Sequence, residues 1–256
     1  MKVTYKNTLI SFTSQGTGNP LVLLHGFLES KEIWKDFAEE LSINRQVICI
    51  DLPGHGESGN ISEIHTMTDM AEAVKYILDE LNIKKASFVG HSMGGYVSLE
   101  FQNIFPTICH SLVLVNSTPQ ADSEERKANR DRAAALVLKN KRAFVSMAIS
   151  NLLTPENNKV FKSQIEELKN RALEFSTEGI YAAIKGMKIR TDHTGLFAKF
   201  KGQKIIVAGK QDPVLDFNTI KIIALRCGSE FKSLPDGHLS FMENTKEFQK
   251  ILRFVD

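Results

Sequence analysis

Ala86-Ser87-Phe88-Val89-Gly90-His91-Ser92-Met93-Gly94-Gly95 is the stretch on which the reading of this chain turns. A short strand-like run leads into a G-x-S-x-G turn, and a helical stretch over 95–105 follows, closed by Pro106. The pattern alone is a weak signal, because glycine and serine are common residues. The context gives it meaning. A serine between a strand and a helix sits on a strained turn with its hydroxyl above the sheet, and only small neighbours fit there. Glycines at 90 and 94 then have a physical reason, since a Cβ at either would crowd the helix against the strand.

The same strand-then-helix unit recurs on both sides of this turn. Upstream, residues 2–5 and 9–13 read as a hairpin turning at Lys6-Asn7, and Gly16, Gly18 and Pro20 break the chain after it. Leu21-Val22-Leu23-Leu24 is a continuous apolar run, as in a strand covered on both faces; a helix carrying Ile33, Trp34, Phe37 and Leu41 follows Ser30. A strand over 47–50 precedes a helix with Met70, Val74, Ile77, Leu78 and Leu81 on one face and an Asp69/Glu72 start. A strand over 112–115 comes next.

From 118 to 200 strand-like runs vanish and helix formers dominate, with Thr154-Pro155-Glu156 as a capped helix start. The alternation resumes with strands over 204–208 and 230–234, a helix over 217–225, and a last helix opened by Asn244/Glu247 with Phe248, Ile251, Leu252 and Val255 as its buried stripe. The expected architecture is α/β: a mostly parallel sheet with helices on both faces, built from 1–117 and 201–256, with a helical lid inserted over 118–200. Ligands of such a sheet bind beyond the carboxyl ends of its strands.

Composition fits a globular chain, with 256 residues, 42% hydrophobic and 24% charged. Area scaling gives a folded surface of roughly 11,000 Å², enough burial for a core without staples. Cys49, Cys109 and Cys227 are odd in number and lack a CxxC pair, which argues against a disulfide framework or a structural zinc site. The N-terminus alternates apolar with polar residues instead of forming a signal-peptide core, and no apolar run approaches a membrane span. A formal charge of +2 without a long basic run gives no reason to expect nucleic acid. The expectation is a cytoplasmic monomer or homodimer that handles small molecules, with neither membrane nor nucleic-acid partner.

A serine hydroxyl needs a base to take its proton and a carboxylate to fix the tautomer of that base. His238, in Pro235-Asp236-Gly237-His238 after the last strand, lies at the same sheet edge as Ser92; Asp212 follows the strand ending at Gly209. Asp216 is a weaker candidate, and Asp51 and Asp236 read as turn residues. His91 is read as packing, His25 as holding its loop, His55 as within reach of the site, and His65, His110 and His193 as surface or capping residues. An oxyanion needs two N–H donors, expected from Phe27, in His25-Gly26-Phe27, and from Met93.

These elements, together with the loop Asp51-Leu52-Pro53-Gly54-His55-Gly56-Glu57-Ser58 and the order serine, acid, histidine, make the chain resemble the α/β-hydrolase family over essentially its whole length. The resemblance implies a serine hydrolase that cleaves a small acyl ester or thioester through an acyl-enzyme without metal or organic cofactor. Serine at 92 separates the chain from epoxide hydrolases and haloalkane dehalogenases, which place aspartate there. His25-Gly26-Phe27-Leu28-Glu29-Ser30 with Trp34 also resembles the menaquinone-pathway synthase, a lyase, but that enzyme has arginine where this chain has Tyr96. A C–C bond hydrolase or lyase and a hydrolase-like ligand sensor are the alternatives. Tyr96, Trp34, Phe144 and Met147 are the candidate substrate contacts. The lid carries fifteen basic against ten acidic residues, read first as a solvated helix surface and second as a hint of an anionic substrate.

Overall fold

A computed structural model describes residues 1–255. Strands β1 (Lys2–Tyr5) and β2 (Thr8–Gln15) form an antiparallel hairpin whose turn residues Lys6 and Asn7 both have positive φ, matching the right-handed twist of the pair. Next come β3 (Asn19–Leu24), a 3₁₀ turn over Lys31–Trp34 and α1 (Lys35–Leu41). β4 (Arg45–Ile50), α2 (Met67–Glu80), β5 (Ala86–His91), α3 (Met93–Ile104) and β6 (Cys109–Val115) complete the first half. The described residues build an eight-stranded sheet in the order β1-β2-β4-β3-β5-β6-β7-β8, with β7 (Gln203–Gly209) and β8 (Glu230–Leu234) at its far edge. Every pairing from β4 onward along that order is parallel.

The continuous apolar runs are explained by two-sided burial. Val22, Leu24, Ile48, Ile50, Phe88 and Leu112 face one core, with residues of α2 and α3. Their neighbours Leu21, Leu23, Val47, Cys49, Val89 and Val113 face the other, with residues of α1. Alternate side chains therefore feed opposite cores, and both must be apolar. The three cysteines are free and buried. The accessible surface is 11239 Å².

Between β6 and β7 the chain forms only helices: α4 (Glu124–Lys139), α5 (Lys141–Ser150), α6 (Pro155–Val160), α7 (Lys162–Glu174), α8 (Thr177–Lys188) and α9 (Thr194–Lys199). Thr154 caps α6 by accepting from Asn157 N–H, with Pro155 in the first turn. After β7 and β8 are interleaved with α10 (Phe217–Cys227), the chain ends in α11 (Ser240–Glu243) and α12 (Thr245–Leu252). Among the described residues no helix is long and apolar enough to cross a membrane.

Two expected caps are corrected. Helix α2 starts a turn earlier than its apolar stripe suggests: Thr66 and Asp69 form the capping box, while Asp69 and Glu72 hold Lys6. Asn244 precedes α12 but its side chain makes no capping bond, and Glu247 pairs with Lys250 instead.

Candidate active site

The turn between β5 and α3 puts Ser92 at φ 48° and ψ −111°, a conformation costly for a residue with a Cβ. The surroundings over-determine it. Ser92 N–H donates to Val115 O at 2.9 Å, and Ser92 O accepts from Ser117 Oγ at 2.7 Å and from Gly95 N–H at 3.0 Å. A Cβ on Gly90 would lie 2.4 Å from Gly94 C, and one on Gly94 would lie 2.3 Å from Leu24 O. The helix can approach the strand this closely only with hydrogen at both positions.

Ser92, Asp212 and His238, from three strand ends, converge. His238 Nε2 is 3.0 Å from Ser92 Oγ, and His238 Nδ1 is 2.8 Å from Asp212 Oδ2. Asp212 Oδ2 also accepts from Asn116 Nδ2 at 2.9 Å, and Oδ1 accepts from Val214 N–H at 2.8 Å and Leu215 N–H at 3.0 Å. Burial would raise the pKa of Asp212, but His238, Asn116 and the Val214 amide outweigh it and hold the carboxyl below its ordinary 3.8. With Asp212 ionised, Nδ1 carries the imidazole hydrogen and Nε2 is free to accept from the serine. Asn116 reaches Gly237 O as well, at 3.1 Å, and takes the Ser240 hydroxyl, so one amide ties the acid loop to the histidine loop. Asp216 lies apart from this group and caps α10 through Thr219 N–H.

Phe27 and Met93 flank the serine, and the amide of neither meets a protein acceptor among the described residues. His25 pins the Phe27 loop: Leu52 N–H donates to its Nε2 at 2.9 Å, so Nδ1 carries the hydrogen and donates to Gly26 O at 2.7 Å. Beneath the loop Glu29 Oε2 accepts from Gly26 N–H at 2.6 Å and from His91 Nδ1 at 2.9 Å, while His91 Nε2 donates to His238 O at 2.9 Å. Both ring nitrogens of His91 face acceptors, which makes the ring an imidazolium paired with a carboxylate. Burial works against both charges, yet each partner outweighs it: the His91 pKa is raised and that of Glu29 lowered.

The raised His91 contributes its stability fully below its ordinary 6.5 and loses it as pH rises through the higher folded value; the lowered Glu29 contributes above 4.5 and loses it as pH falls. Urea unfolding should thus show stability declining above pH 6.5. Glu29→Gln should flatten that decline and lower stability at the plateau by about 3 kcal/mol, because a buried charge loses its partner. An unchanged slope in the variant would show that the pair is not ionised.

A cavity of about 180 Å³ opens on Ser92 and His238, lined also by Phe27, Tyr96, Arg126, Arg130 and Leu152 among others. Of the four candidate contacts only Tyr96 reaches it. Phe144 is buried behind Phe27, ring centroids 6.2 Å apart, and its helical neighbour Ala148 takes the cavity position. Met147 points outward and is 49% exposed. Trp34 packs against Phe37, Phe241 and Phe248 in the core, where its helical stripe drives it. His110 is at the surface, but His65 and His193 are buried, the latter 2.6 Å from Glu100. His55 is buried against Phe27 and Phe175, with its Nδ1 3.1 Å from Pro53 O, and is not among the described residues that line the cavity on Ser92. A larger groove of about 400 Å³ between α1 and α7 excludes Ser92 and His238.

A family model described as alpha/beta hydrolase fold matches residues 19–245. The chain belongs to the alpha/beta hydrolase fold family. Within that family it is 30% identical to a thermophilic esterase from Thermogutta terrifontis, solved with malate bound, at a TM-score of 0.90 over 96% of this chain and 92% of that one. An enol-lactonase from Burkholderia xenovorans superposes at a TM-score of 0.91 over 99% and 98% of the chains with 18% identity, a likeness of fold. In Pseudomonas putida, a dihydrolipoyllysine-residue acetyltransferase component of an acetoin cleaving system is 43% identical over 100 residues, 39% of this chain. The match spans only 27% of that protein's length. Alpha/beta hydrolase membership and the likeness to the esterase support a hydrolase.

Proposed function

We propose that the chain is a carboxylic-ester hydrolase that works through an acyl-enzyme on Ser92. The observation that carries the reading is the unbroken row Asp212, His238, Ser92, with 2.8 and 3.0 Å between successive partners, opening into a cavity. His238 Nε2 takes the Ser92 proton as Oγ bonds to the ester carbonyl carbon, and the carbonyl oxygen becomes an oxyanion held by the N–H groups of Phe27 and Met93. Collapse re-forms the carbonyl and breaks the bond to the alcohol, which leaves with the proton from His238. A water then gives a proton to His238 and its oxygen to the acyl carbon; Ser92 departs with that proton and the acid is released.

The helical segment 118–200 acts as the lid of this site, contributing Arg126, Arg130, Ala148, Leu152 and Met187 to the cavity wall. His238 N–H donates to Leu152 O at 3.0 Å, so the lid also holds the histidine loop. A volume of about 180 Å³ is below the ~300–1,000 Å³ of pockets for drug-sized ligands, which favours short acyl groups. A p-nitrophenyl series from acetate to decanoate tests this. Hydrolysis should be fastest among the short members and fall steeply by octanoate. A rate that rises to decanoate would contradict the pocket assignment, and no turnover of any member would contradict the reaction.

A further inference from the structure

The basic excess of segment 118–200 is not spread evenly over a solvated surface. Two of its arginines, Arg126 and Arg130 on α4, line the cavity that holds Ser92 and His238. Both converge on Asp122, whose side chain is fully buried: Arg126 Nε donates to Oδ1 and Arg130 Nε to Oδ2, each at 3.1 Å, and Arg190 Nη1 donates to Oδ1 at 2.7 Å. Three guanidiniums around one carboxylate leave two positive charges in excess.

The three arginines are not equivalent. Arg190 is the most fully engaged, since besides Asp122 its Nε and Nη2 donate to Gln120 O and its Nη1 to Met187 O, and its guanidinium lies 4.0 Å over the Tyr96 ring. It alone would satisfy a structural need of Asp122 for a counter-charge. Arg126 gives Nη1 to Val214 O at 3.0 Å. Arg130 is bound only through Nε, and its two terminal amino groups meet no protein acceptor among the described residues. Asp122 thus orients the guanidinium of a cavity-lining residue, and its outer edge, two parallel N–H donors, is left unused. That edge matches the two oxygens of a carboxylate.

We propose that Arg130, with Arg126 beside it and Asp122 orienting both, is a carboxylate-binding subsite, and that the substrate is a short ester carrying a carboxylate. This rests on the ester-hydrolase reading and narrows it. A carboxylate there would offset one of the two excess charges and fill the open fork, so the substrate would be bound and aligned through the end of the molecule remote from the scissile bond.

Two ester pairs, each differing by one carboxylate, test the inference: p-nitrophenyl hemiglutarate against p-nitrophenyl valerate for the acyl side, and 4-acetoxybenzoate against phenyl acetate for the alcohol side. In one pair the wild type should prefer the acid in kcat/KM. Arg130→Gln should cut that preference about ten- to a hundredfold, the worth of hydrogen bonds to a charged group. Arg130→Lys, which keeps the charge and loses the fork, should fall between, and it serves if the glutamine variant does not fold. Arg142→Gln removes the same charge from an exposed position and should leave the preference as it was. A wild type that favours the neutral ester in both pairs, or a preference untouched by both Arg130 variants, overturns the proposal. If no ester is turned over in a Ser92-dependent way, the ester reading fails by itself. Calorimetric titration of glutarate then decides the subsite: binding by the wild type that Arg130→Gln weakens sustains it, and absence of binding refutes it.

Discussion

Ser92→Ala is expected to lower kcat for ester hydrolysis by about 10⁶-fold, the loss seen when a serine triad is deprived of its nucleophile. Without Oγ no acyl-enzyme forms, and what remains is the slow attack of water on an ester held against the Phe27 and Met93 amides. His238→Ala should cost about as much, because a hydroxyl 3.0 Å from Nε2 is inert once nothing takes its proton. The double variant should be no worse than either single one, since the two groups act as one unit. Steady-state assays on purified wild type and the three variants measure this. Independent, multiplying losses would mean that the two side chains do not share a step.

Asp212→Asn should cost about 10⁴-fold in kcat while leaving the fold intact, and the reason is legible in the hydrogen bonds. Asp212 Oδ1 faces two backbone donors, Val214 and Leu215 N–H, so the single acceptor oxygen of an asparagine must take that place. Its amino group then falls where Oδ2 accepted from Asn116 and His238. His238 can answer only by accepting at Nδ1, which moves the imidazole hydrogen to Nε2 and removes the acceptor that Ser92 needs. A variant with near-normal kcat would show that the carboxylate does not fix the tautomer. Asp212→Ala leaves a cavity but no competing amide, and its smaller deficit would isolate the tautomer effect.

Most of the sheet was legible because burial on both faces leaves a simple trace. Leu21-Val22-Leu23-Leu24 and Phe88-Val89 are apolar at every position, and only a strand between two helical layers demands that. The Ser92 turn was legible because a close backbone approach permits only hydrogen at 90 and 94. The positions of Asp212 and His238 followed from the ends of their strands.

What sequence could not give is the tertiary meaning of side chains without a local pattern. Residue type alone places Trp34 and Met147 at the substrate, but the first follows its helical stripe into the core and the second stands on the outer side of α5. His65 and His193 lack a motif yet are buried: the ring of His193 meets Glu100, 93 residues away, and the backbone N–H of His65 donates to Ala182 O. Asn116 carries no local pattern either, and its amide joins Asp212 and Gly237, 96 and 121 residues further on. Glu29 and His91 lie 62 residues apart, so nothing local marks them as a pair. The charge count over 118–200 likewise conceals that Arg126 and Arg130 line the cavity while Lys185 and Lys188 pair with Asp131 outside it.

Turnover is expected to pass through a covalent bond to Ser92 Oγ. Intact-mass spectrometry of protein quenched in acid within the first turnovers of p-nitrophenyl acetate tests it most directly, followed by peptide mapping. A species heavier by one acetyl group is expected, with the modification on the peptide carrying Ser92 and no such species in Ser92→Ala. Full turnover without any acylated protein, or an acetyl group on another residue that persists in Ser92→Ala, would contradict it.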